Sequence, residues 1–128
     1  MSKLLFIAIG GAAGALLRYS VSGFAYKYLD GMLPWGTLAV NLIGCFVIGF
    51  LWQIFEFITS SPNMRAFIFV GILGAFTTFS TYGLETLNLF REGEIKYGLL
   101  NFLASNILGI GLVLTGFIAA RYLIGIFR

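Results

Sequence analysis

The residues of this chain that could do chemistry lie inside apolar runs. Arg18 interrupts the stretch from about Leu4 to Tyr26, Asn41 and Gln53 sit within Gly31 to Phe55, and Asn101 and Asn106 fall within Tyr97 to Ala120. An ionisable group at membrane depth is costly, so it faces a cavity or a partner unless it snorkels to the interface. At the mouth of a polar path, the Arg18 charge would draw anions inward. Glu85 is its one plausible intramembrane partner, with Glu56 a second choice nearer the surface. The carboxamides point to a polar path or to a strongly hydrogen-bonded helix interface.

The segment Gly71-Ile72-Leu73-Gly74-Ala75-Phe76-Thr77-Thr78-Phe79-Ser80-Thr81-Tyr82 is unusual for a membrane helix. Glycines three apart, followed by hydroxyl residues, combine weak helix formers with groups that compete for backbone hydrogen bonds. Either the helix stays intact with its hydroxyls bonded one turn back, or it breaks. Broken backbone survives in a bilayer only when buried in protein or lining a cavity, where its carbonyls can hold a hard cation such as Na+. Phe76, Phe79 and Tyr82 share a slowly precessing face. Such rings serve ordinary packing, or meet an anion with their positive edges.

Several function classes are excluded by composition. The chain has no histidine and a single cysteine, Cys45. The commonest general base is therefore missing, and neither an intramolecular disulfide nor a cysteine metal cluster can form. No phosphate-binding loop is present. The net charge is +3, but the eight basic residues form no stripe, which excludes a nucleic-acid surface. An enzyme is not expected, because no nucleophile, base and orienting group stand in register.

The elements that must position these residues are membrane helices. Of 128 residues, 59% are hydrophobic and 10% charged, against about 45–50% and 25% in soluble domains. The mean hydropathy is +0.97. A bilayer core about 30 Å thick takes roughly 20 helical residues. The pattern therefore predicts a single transmembrane domain over 1–128, with helices at about 4–26, 33–57, 66–89 and 97–122. A cleavable N-terminal signal is the weaker reading of the first run, because apolar character resumes beyond Arg18.

Short turns at Asp30-Gly31, Ser60-Ser61-Pro62-Asn63 and Arg91-Glu92-Gly93-Glu94 make neighbouring helices antiparallel. Small and polar residues recur along each: Gly10, Gly14, Arg18, Ser22; Thr37, Asn41, Cys45, Gly49, Gln53; Gly71, Gly74, Thr78, Thr81, Glu85; Gly98, Asn101, Ser105, Gly109, Gly116. These faces suit helix contacts better than lipid. Lys3, Arg65, Arg121 and Arg128 on one side of the membrane balance Lys27, Arg91 and Lys96 on the other. With almost no positive-inside bias, the chain could insert both ways and pair with an inverted copy of itself.

Gly10 to Arg18, then Gly36-Thr37-Leu38-Ala39-Val40-Asn41, then Gly71 to Glu85 resemble the three motifs of the Fluc/CrcB fluoride channels, in order and at that family's spacing. The resemblance implies an all-α membrane protein of four transmembrane helices with a break in the third, assembled as an antiparallel, dual-topology homodimer. It implies passive fluoride export that relieves fluoride toxicity, through two separate pores, and a structural Na+ at the dimer centre. Carried over by position, Gly74 and Thr77 would give backbone carbonyls to Na+, and Phe79 and Tyr82 would be the pore aromatics. Asn41 would line the fluoride path, Ser80 and Thr81 would supply hydroxyls along it, and Arg18 and Glu85 match the charged positions.

Two departures stand out. The second aromatic, usually phenylalanine, is here Tyr82, whose hydroxyl could donate to fluoride or swing the ring elsewhere. In the fourth helix, which is only loosely similar, Ser105 and Asn106 fall where polar pore residues are expected. The location implied is the cell inner membrane, multi-pass. The alternative function is a small dual-topology multidrug or cation exporter, which needs a carboxylate deep in the first helix where this chain has Arg18.

Overall fold

The computed structural model describes residues 2–127. Arg128, one of the charges weighed for membrane orientation, lies outside the described residues. The described residues are helical apart from the connections and the pair Thr77-Thr78, and four spans are long and apolar enough to cross a membrane: Ser2–Tyr28, Trp35–Phe57, Pro62–Arg91 and Ile95–Ile126.

Local chemistry sets the ends. Ser61 caps the third span by accepting a hydrogen bond from Met64 N at 3.2 Å, and Pro62 opens its first turn. This start lies ahead of Ala66, where the uncharged stretch places it. At the far end Gly93 takes a φ of +80°. Its N–H reaches Phe90 O at 3.2 Å and that of Glu94 reaches Leu89 O at 2.8 Å. This Schellman closure turns the chain into the fourth span.

The third span is not uniform. Helix Pro62–Arg65 runs into wider π-type turns over Ala66–Leu73, then into Gly74–Phe76. Thr77 (φ −85°, ψ 159°) and Thr78 (φ −150°, ψ 118°) are extended, and a helix resumes at Phe79–Arg91. Thr78 caps it, its hydroxyl accepting from Thr81 N at 3.3 Å. The fourth span has a second π-type stretch at Ala104–Leu108.

The first span packs on the opening half of the third, and the second span on the closing half of the fourth. Both contacts depend on missing side chains. A Cβ on Gly10 would meet Phe67 O and one on Gly14 would meet Ile72 O; a Cβ on Gly49 would meet Val113 O and one on Gly116 would meet Phe46 O. Backbone thus lies on backbone, the close approach by which helices associate in lipid. Arg65 ties the second span to the third, its Nη1 donating to Phe55 O at 3.0 Å. The guanidinium lies 5.4 Å from the Trp52 ring and 5.9 Å from that of Phe69, within cation–π range of both.

Candidate functional site

The extended pair Thr77-Thr78 exposes backbone groups at membrane depth, and each must find a partner. Asn41 supplies one pair. Its Nδ2 donates to Thr78 O at 2.9 Å while Thr78 N donates to its Oδ1 at 2.8 Å. The Thr78 N–H, which in a continuous helix would bond Gly74 O, is therefore turned to the second span. On the other side Arg18 Nη1 points at Thr77 O, at 3.5 Å.

A cavity of about 430 Å3 opens beside this segment, walled by Arg18, Ser22, Thr37, Thr78, Thr81 and Glu85, together with Tyr26. The structure thus brings Arg18, Thr81 and Glu85 into one space. Ser80 is exposed next to it, its hydroxyl 3.3 Å from that of Thr78, which also donates to Thr81 Oγ1 at 3.1 Å. These hydroxyls form a short polar track at the start of the resumed helix.

The pairing expected between Arg18 and Glu85 does not occur. Glu85 Oε1 accepts from Thr37 Oγ1 at 2.8 Å and from Tyr26 OH at 3.2 Å. Glu56, the second choice, accepts from Trp52 Nε1 at 2.9 Å. Two neutral hydroxyls satisfy the Glu85 oxygen from neighbouring helices, so the guanidinium has no carboxylate partner among the described residues. Thr37 and Tyr26 were missing from the expected site. The signal was present, since Arg18 and Ser22 continue one step of four residues to Tyr26.

The two aromatic positions behave differently. Phe79 is 81% exposed, and its ring centre lies 5.4 Å from that of Tyr82. Tyr82 is buried, and its hydroxyl accepts from Asn106 Nδ2 at 2.9 Å. The same Nδ2 donates to Phe102 O at 2.8 Å, which fixes the amide orientation. Tyr82 and Asn106 therefore form one unit between the third and fourth spans. Asn101, 1% exposed, bonds Thr86 Oγ1 at 2.9 Å, so that carboxamide is part of the helix interface.

For Na+ the available donors are carbonyls. Gly74 O has lost its helical donor to Asn41, Thr77 O carries only the long bond from Arg18, and Gly74 is exposed. Two such carbonyls fit a hard cation in kind, though one chain offers only part of a coordination shell.

The arrangement has relatives. The family described as CrcB-like protein, Camphor Resistance (CrcB), matches residues 5–117. The chain belongs to this family. A relative in Salinibacter ruber, named fluoride-specific ion channel FluC, is 52% identical over 125 residues, 98% of this chain and 94% of that protein. Relatives of the same name in Parabacteroides distasonis and Desulforapulum autotrophicum are 48% and 47% identical, over 97% and 93% of this chain and 97% and 96% of theirs. The likeness thus runs through all four spans. With relatives that are ion channels, those spans make a multi-pass membrane protein.

Proposed function

We propose that this protein is a fluoride-selective channel that lets fluoride leave the cell passively and so relieves its toxicity. The observation that carries the reading is full-length similarity to proteins named fluoride-specific ion channels. The groove supports it. A selective fluoride path must replace several water hydrogen bonds of a small, strongly hydrated anion without trapping it in a fixed charge well. Hydroxyl donors and ring edges do so, and an unpaired guanidinium at the mouth raises the local anion concentration.

In this reading Arg18 attracts the ion, Thr81 and Ser80 solvate it, and the edges of Phe79 and Tyr82 conduct it onward. Asn41 keeps the extended segment in shape, with one Nδ2 hydrogen left for the ion. Glu85 lies in the wall of the path. Phe79, with its ring mostly outside its own chain, belongs to a path completed by a second copy. The assembly proposed is an antiparallel homodimer of chains inserted in both orientations in the inner membrane, the third helices parted at Thr77-Thr78. Gly74 and Thr77 of each copy would hold the structural Na+, which neutralises the converging carbonyl dipoles.

The exporter alternative has no observation in its favour. Its cationic substrates would meet Arg18, and the relatives carry the channel name. Expression in a bacterium stripped of its own fluoride export tests the proposal: growth in fluoride is restored. Continued sensitivity, with the protein present in the membrane, would contradict it.

A further inference from the structure

Two cavities meet at Tyr26 and Glu85. The groove beside Arg18 is one; the other, about 300 Å3, opens toward the connection through Gly31 and Pro34, and both side chains wall it as well. The Tyr26 ring is seated against Gly36, where any Cβ would collide with the ring carbons. From that seat its hydroxyl donates to Glu85 Oε1 at 3.2 Å, beside the 2.8 Å bond from Thr37. Glu85 Oε2 is buried and has no hydrogen-bond partner among the described residues.

This leaves a half-satisfied carboxyl group and an unpaired guanidinium lining one groove. Opposite charges lining one groove at membrane depth attract, and a charge-assisted Arg–carboxyl contact is among the strongest available. Meeting there, they would cancel the attraction for an anion and obstruct the groove. Both hydroxyls on Oε1 draw the carboxyl group toward the first and second spans, and of the two residues only Tyr26 also walls both cavities.

We propose that Tyr26 is a positioning residue of the ion path: its hydroxyl holds Glu85 against the second span, keeps Arg18 free, and maintains the partition between the two cavities. The inference rests on the fluoride-channel reading, in which Tyr26 has no part.

Tyr26→Phe tests it, because the ring stays seated against Gly36 and only the hydroxyl is lost. Fluoride efflux from liposomes is compared for the native protein, Tyr26→Phe, Glu85→Gln and the double variant. Losing one hydrogen bond to a charged group should lower efflux about tenfold in Tyr26→Phe, with no further loss when it is added to Glu85→Gln. Unchanged efflux in Tyr26→Phe, or an equal drop in both backgrounds, would overturn the proposal.

Infrared spectra give a second reading that does not depend on flux. The carboxyl band that disappears in Glu85→Gln should shift in Tyr26→Phe, and an unshifted band overturns the proposal even where Glu85→Gln conducts nothing. A native protein that passes no fluoride defeats the channel reading instead, and the infrared comparison still decides whether Tyr26 holds Glu85.

Discussion

Asn41 and Thr78 exchange two hydrogen bonds across the second and third spans, at 2.9 Å in one direction and 2.8 Å in the other. The side-chain amide imitates a neighbouring strand for a single extended residue. Backbone that leaves the helix inside a bilayer needs such a partner, and this one comes from a different helix.

Replacing Asn41 by alanine therefore strips both partners from Thr78. A stability loss of about 2–3 kcal/mol is expected, read from unfolding in detergent, together with loss of fluoride efflux. Asn41→Asp keeps the acceptor alone and should fall between. An unaltered unfolding transition in Asn41→Ala would show that the bracket carries no energy.

Phe79→Ile should abolish fluoride efflux while leaving assembly and stability within about 0.5 kcal/mol of the native protein. The reason is that the ring is 81% exposed and its one ring contact among the described residues is with Tyr82. Undiminished efflux would remove Phe79 from the path.

Tyr82→Phe tests the departure at the second aromatic. It deprives Asn106 Nδ2 of one acceptor, an expected cost of about 1 kcal/mol. Conduction should persist, since the ring remains. Collapse of efflux would instead assign the hydroxyl a direct contact with the ion.

The glycine contacts make a paired prediction. In Gly116→Ala the new methyl meets Phe46 O, and the helix shift needed should cost about 1–3 kcal/mol. In Gly111→Ala the added atom has nothing within 4 Å of it. That substitution should change stability by less than about 0.5 kcal/mol. Equal thermal shifts for the two would contradict the packing of the second span on the fourth.

Much of the architecture was legible because lipid imposes a simple length rule: three uncharged runs of the right size, and a first run interrupted by Arg18, mark out four spans, and the stripes containing Gly10, Gly14, Gly49 and Gly116 mark their contacts. Hydrogen-bond choices between helices were not. Glu85 had one cation to pair with in sequence terms, yet two hydroxyls from other spans bond its Oε1 instead, an outcome that depends on helix register and rotation. Asn41 and Asn101 are the same residue type in similar surroundings. One brackets Thr78 and the other is buried against Thr86, and only the position of the third span separates them.

The central claim is tested most directly with purified protein in liposomes, with fluoride and chloride release followed by ion-selective electrodes. Rapid fluoride release with chloride retained is the predicted result. No fluoride release, or chloride released at a similar rate, would contradict it.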